Sequence, residues 1–194
     1  FFTVRDILKD YSGEVMRFFL LSGHYRSPIN FSDTLMEQAK AGLGRMENCK
    51  ENLAYLTGAG ADGDMTDAEK EALAGYEKFR GEFICAMDDD LNTADAISAV
   101  FELVTAINTA VKDGASRAFA QASLETLMEF ADVLGLLQTE EDNSVDEDIQ
   151  KLVDERQEAR KAKNFARADE IRDLLKERGI TLKDTPQGVQ IIKE

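Results

Sequence analysis

The feature that most constrains this 194-residue chain is a long apolar recurrence at spacings of three and four. Leu35, Ala39, Leu43, Met46, Cys49, Leu53 and Leu56 keep to one face of a helix for about six turns. Ser32 is a good N-cap for it, and Phe31 is placed to staple onto Met36. Three further stretches repeat the pattern. Thr66 and Glu69 form a capping box ahead of Leu73, Tyr76, Phe79, Phe83 and Met87. Ile97, Val100, Phe101, Val104, Ile107 and Val111 follow, with Gly114 placed to end that helix. The last stretch carries Phe119, Leu124, Leu127, Met128, Ala131 and Leu134. With only two prolines in the chain, four amphipathic helices on short connections predict a mainly all-α fold, an antiparallel helical bundle over 31–137.

The flanks read differently. Thr3 and Ser12 can cap two short helices in 1–30. Val4, Ile7, Leu8 and Tyr11 form the apolar side of the first; Val15, Phe18, Phe19 and Leu21 leave the second little polar surface, so it should be buried. Pro28 drives Ser27 out of the helical region and ends this part irregularly. Residues 57–64 have the composition of a flexible loop. Residues 138–148 hold six acids and no base, which predicts an acidic linker. In 149–194, Ile149, Leu152, Val153 and Arg156 open a small helical hairpin that breaks at Asn164. Ala168, Ile171, Leu174 and Leu175 face inward on its second arm, and Gly179 caps the end. The runs 181–183 and 189–191 flank turn chemistry from Asp184 to Gly188, predicting a short terminal β-ribbon.

Several function classes drop out. No apolar run approaches the ~18 residues of a membrane span, and no signal peptide is visible. The opening Phe1-Phe2-Thr3 has no initiator Met, as expected of a piece of a longer protein. Cys49 and Cys85, each on a helix near apolar neighbours, read as buried small hydrophobes whose free thiols suit a reducing cytoplasm. With no CxxC pair and His24 as the single histidine, no zinc site is expected. Asp88, Asp89 and Asp90 point in successive directions, cannot converge on one ion, and read as a helix junction beside an Asn92 or Thr93 cap. His24, Tyr25 and Arg26 lack a nucleophile and a matched carboxylate nearby in sequence. There is no phosphate-binding glycine loop, serine elbow or Cys/His pair. These residues are therefore expected to hold no catalytic site, no metal and no cofactor of their own.

The net charge of −15 opposes indiscriminate nucleic-acid binding, but it is unevenly placed. Residues 151–194 carry 11 Lys or Arg against 9 Asp or Glu, while 1–150 carry 12 against 29. Within that near-neutral end, Phe165, Asp169, Arg172 and Lys176 share one stripe of the second hairpin arm, away from its core face. The stripe has two readings. Asp169 and Arg172 can be a surface ion pair worth about 0.2–0.5 kcal/mol, with Phe165 as a staple. Alternatively, the ring stacks an unpaired base while carboxylate and guanidinium take base edges: a carboxylate accepts from guanine N1–H and N2–H, and an Arg fork serves acceptors of cytosine or adenine.

Four segments, FFTVRDIL, EVMRFFLLSGHYRSPINFS, AMDDDLNTADAI and ARKAKNFARADEIRDLLKERGITLKDTPQGV, occur in an order that resembles the C-terminal part of cysteinyl-tRNA synthetases. The resemblance runs along nearly the whole chain and is poorest at 57–66 and 138–148. It implies a stem-contact region at 1–30, a DALR-type bundle at 31–137 and an anticodon-binding domain at 149–194. It also implies a catalytic domain upstream, where ATP, Mg²⁺ and a cysteine-selecting zinc serve the cysteine–tRNA ligase reaction; neither Cys49 nor Cys85 matches a ligand of that zinc. The piece itself would be non-catalytic and would bind tRNA-Cys through its GCA anticodon, as a cytoplasmic monomer. Position by position, the family's anticodon readers fall on Arg160, Asp169, Arg172 and Asp184, and its stacking aromatic, often Trp, on Phe165. Gln190 and Ile191 stand where the family often has a further Trp, so the outer part of its platform differs here. Two competing readings are a helical-bundle adaptor for protein partners, which needs an exposed apolar stripe on one helix of 33–137, and a related ligase joining cysteine to a small molecule, which the intact anticodon domain disfavours.

Overall fold

A computed structural model describes residues 3–138, then 152, 153, 155, 156, 159 and 160, then 164–177, 180–185 and 188–193. The chain is mainly helical and divides into two compact units, Phe1–Thr139 and Glu140–Glu194.

In the first unit each helix starts where a side chain can take up an orphan backbone N–H. Thr3 caps α1 (Val4–Ile7) in a reciprocal box with Asp6, and Ser12 caps α2 (Gly13–Leu21). Ser32 caps α3 (Asp33–Ala59) and Thr66 caps α4 (Asp67–Asp88), where Glu69 completes the box. Asn92 caps α5 (Thr93–Ala110) and Ser116 caps α6 (Arg117–Leu134). The α6 helix ends on Gly135 at φ +63°, a left-handed cap that lets Leu136 N–H return to the Ala131 carbonyl at 2.9 Å.

The bundle core forms where α3 packs on α6 and α5, and α4 on α5 and α6. Met36, Leu43, Met46, Leu53, Leu103, Ile107, Phe119, Leu127 and Phe130 are fully buried there, and taking each out of water contributes roughly 1.5–3 kcal/mol. Phe83 stacks on Phe130 at 4.8 Å between centroids. On α2, Val15, Phe18 and Phe19 pack onto this core, Phe18 edge-on to Phe101 and Phe19 edge-on to Phe31.

Several expectations need correction. Leu35 is exposed; the inward stripe of α3 runs through Met36, which lies about 20° from Leu43 around the helix, whereas Leu35 lies about 80° from Leu43 on the other edge. Val4 and Leu8 are exposed, since α1 is a single turn that delivers only Ile7 to the core. Cys85 is exposed, two positions beyond the buried Phe83 and thus on the other side of α4. Cys49 is buried, which pushes its thiol up to about 12. The stretch expected as a loop from residue 57 is helical through Ala59 and then pinned: Ala61 bridges to Ser116, and Arg117 reaches both the Gly60 carbonyl (3.1 Å) and Asp62 (2.8 Å).

The aspartate run resolves into separate roles. Asp88 is the last residue of α4 and Asp89 its C-cap. Asp90, in the left-handed region at φ +56°, accepts from the Tyr25 hydroxyl (2.9 Å) and pairs with Arg26 (2.8 Å), while His24 stacks on Tyr25. Thr93 Oγ1 donates to the Leu21 carbonyl at 2.8 Å. The HYR segment and the α4–α5 junction are thereby tied together. Asp90 and Leu91 are both left-handed, at a cost of roughly 1–3 kcal/mol each that these ties help to meet.

The second unit has its own small core. Val153, Ile171, Leu175 and Ile180 are buried, with Leu152 and Leu182 packed around them, and Ala159, Ala168 and Arg156 are buried as well. Its helix α7 (Phe165–Glu177) leads to β1 (Ile180–Thr185), which pairs antiparallel with β2 (Gly188–Lys193) in the register Ile180↔Lys193 to Thr185↔Gly188. Leu174, expected inward, is exposed because it lies one position, about 100°, from Leu175. The acidic stretch from residue 139, Ile149 and Gly179 lie outside the described residues.

Candidate nucleic-acid interface

The α7 helix begins where Asn164 turns the chain. The Asn164 backbone N–H donates to the Ala159 carbonyl at 2.8 Å, and its side-chain Oδ1 accepts from Arg167 N–H at 3.3 Å, so one residue ends the preceding helical stretch with its backbone and starts the next with its side chain. Phe165 is the first residue after this turn. The residue is 62% exposed, which argues against a staple and leaves an open aromatic face.

Asp169 and Arg172 follow at spacings of four and three, so all three side chains lie along one exposed stripe of α7, about a quarter turn from the buried Ala168, Ile171 and Leu175. Arg172 Nη1 lies 3.2 Å from Asp169 Oδ1, and its Nε lies 3.5 Å from Asp173 Oδ1. Both side chains of the first pair are more than half exposed, so the pairing is worth at most about 1 kcal/mol. A ligand that offers the carboxylate two N–H donors, or the guanidinium two acceptors, can replace it at little cost. Lys176 is exposed further along α7.

Arg160 is exposed on the helical stretch before Asn164. Asp184 lies on β1, opposite Val189, and its side chain is outside what the structure describes. The structure thus brings Phe165, Asp169 and Arg172 together, and gives Arg160 and Asp184 their places on neighbouring segments of the same unit. Arg167 was not foreseen. It bridges Glu155 (2.9 Å) across the hairpin and Glu170 (3.1 Å) along α7, and the Glu155 contact raises its pKa first, with Glu170 adding to it. The i, i+3 spacing to Glu170 was visible in sequence, but the partner twelve residues away had no local signal.

Among the described residues no group of three or more His, Cys, Asp or Glu could hold a metal ion. No described helix is long and apolar enough to cross a membrane.

Comparison with known proteins bears on this interface directly. Residues 142–191 match the family model "Cysteinyl-tRNA ligase anticodon binding domain", residues 82–138 match "DALR domain", and residues 1–41 match "tRNA synthetases class I (C) catalytic domain". The chain is 50% identical over 191 residues to a cysteine–tRNA ligase of Symbiobacterium thermophilum, 49% over 190 residues to one of Lachnospira eligens, and 46% over 190 residues to one of Clostridioides difficile. Each alignment covers 98% of this chain and 40–41% of the relative, so the chain spans about two fifths of the length of the curated relatives it matches. All five candidate residues fall inside the anticodon-binding match. A likeness that runs along nearly the whole chain and through three successive family models places these residues in the cysteinyl-tRNA ligase family.

Proposed function

We propose that this chain is the tRNA-binding portion of a cysteine–tRNA ligase, divided into a stem-contact region (1–30), a DALR-type bundle (31–137), an acidic linker (138–148) and an anticodon-binding domain (149–194). The parent enzyme activates cysteine with ATP and Mg²⁺ and loads it onto tRNA-Cys in the cytoplasm, with catalysis and the cysteine-selecting zinc in a domain outside these residues. These residues grip the tRNA as part of a monomer and read its GCA anticodon. Phe165 stacks an unpaired base; Asp169 and Asp184, the latter on the terminal ribbon, take the guanine edge; Arg160 and Arg172 take the following bases. The observation that carries this reading is the open face of Phe165, Asp169 and Arg172 inside the segment that matches an anticodon-binding model.

The adaptor reading needs an apolar stripe on one helix of 33–137. Among the described residues there, the exposed large apolar side chains are Leu35, Ile84, Leu91 and Val133, which lie on α3, α4, the α4–α5 junction and α6. No single helix carries the stripe.

Asp184→Ala in the full-length enzyme tests the site. Loss of a two-donor base contact should weaken charging of tRNA-Cys by roughly 10–100-fold, chiefly through KM for tRNA, while cysteine-dependent ATP–pyrophosphate exchange stays normal. A parallel fall in both reactions would show that Asp184 does not act on the tRNA.

A further inference from the structure

In the second unit, residues beside a buried position sort onto two flanks of the helical hairpin. Arg160 directly follows the buried Ala159, and Asp169 and Arg172 directly follow the buried Ala168 and Ile171. Glu155 instead precedes the buried Arg156, and Arg167 precedes Ala168. One residue is about 100° of helix, and in two right-handed arms running antiparallel, the residues that follow a buried position fall on the same side. Arg160 and the stripe on α7 therefore share one flank, while Glu155 and Arg167 share the other. The contacts agree with this sorting. Arg167 Nε and Nη2 each lie 2.9 Å from Glu155 Oε1. Glu170, which precedes Ile171, joins the same flank at 3.1 Å from Arg167 Nη1.

The angle at which α7 rolls against the first arm decides where its stripe points. Among the described residues the apolar core beneath it is Val153, Ile171, Leu175 and Ile180, and a core of that size gives a domain only marginal rigidity. A roll of about 20° moves a side-chain tip on the helix surface by about 2 Å, enough to break a hydrogen bond to a base edge. We infer that Glu155 and Arg167 are positioning residues for base reading: their ion pair, on the far flank, sets the roll of α7 so that Arg160 and the Phe165, Asp169 and Arg172 stripe meet one RNA strand together. This inference rests on the anticodon-binding reading of the unit. Arg167 acts through α7 and does not itself touch the RNA. Both side chains of the pair are nearly half exposed, so its hold on the roll is modest and the effect of breaking it is about threefold to fivefold.

Glu155→Gln, Arg167→Gln and the double variant of the 194-residue chain test it, each checked for folding by circular dichroism. Their binding to an anticodon stem-loop carrying GCA, and to the same stem-loop with adenine at the wobble position, is measured over a range of salt. Each single variant should bind the GCA stem-loop about threefold to fivefold more weakly and prefer guanine less, with the salt dependence unchanged. The double variant should be no worse than either single one, because removing one partner already breaks the pair. Weakening in Arg167→Gln alone, with the slope of log affinity against log salt reduced by about one, overturns the proposal and makes Arg167 a direct phosphate contact. Equal weakening for both stem-loops also overturns it, since a pair that only stabilises the fold leaves the preference for guanine as it was. Unchanged binding in both single variants shows that the pair positions nothing. Equal affinity of the unsubstituted chain for the two stem-loops overturns base reading itself, and the role of the pair with it.

Discussion

At the scale of single residues, much of the fold is held by side chains that each serve two backbone ends. Glu69 is the clearest. One carboxylate oxygen accepts from Thr66 N–H at 2.7 Å, closing the box legible in the sequence, and the other accepts from Ser116 N–H at 2.7 Å at the start of α6. The second contact spans 47 residues and had no sequence signature. Partial burial works against ionisation of Glu69, but the N–H groups of Ser116 and Thr66 outweigh it and hold the carboxyl below its usual range. A depressed folded pKa means that the stabilisation is present above the ordinary carboxylate value and is lost as pH falls through the folded one. Glu69→Gln should therefore lower stability by about 1–3 kcal/mol at neutral pH, with the gap from the unsubstituted protein closing as the solution is acidified, read from urea midpoints at several pH values. A gap that stays constant down to acid pH would show that the charge of Glu69 is not what joins the two helix starts.

At the scale of elements, the periodic helices were legible because their apolar spacing, caps and turns all agreed. The misplaced positions, Leu35, Cys85 and Leu174, each sit one or two residues from a buried neighbour, where periodicity alone does not choose the exact register. The ending of α3 failed for another reason: a run of Gly, Ala and Asp looks like slack chain, but Gly60 is clamped. A Cβ there would stand 2.5 Å from the Leu56 carbonyl and 2.8 Å from the Ala115 carbonyl, whereas one at Gly58, inside α3, would meet nothing within 4 Å. Gly60→Ala should cost about 1–3 kcal/mol, and Gly58→Ala should be neutral or stabilising by up to about 1 kcal/mol. Thermal unfolding of the two variants side by side distinguishes a pinned crossing from a loose loop, since a loose loop would tolerate both.

At the scale of the whole molecule, the division of labour follows the charge. The first unit lies in the acidic part of the chain, and the candidate interface lies in 151–194, where bases slightly outnumber acids. Phe165, Asp169 and Arg172 were legible from helical spacing, and the structure places them on one open face. Arg160 and Asp184 were not legible from spacing, because they sit on other segments of the unit; only the resemblance pointed to them. The proposed role requires this unit to read bases and not merely to tolerate a polyanion. Binding of the 194-residue chain to an anticodon stem-loop carrying GCA, against the same stem-loop with its wobble guanine replaced by adenine, tests it most directly. Binding to the first should be weak and salt-sensitive, and the second should bind about tenfold or more weakly, from the lost N1–H and N2–H donors to the carboxylates. Equal affinity for the two stem-loops would contradict it.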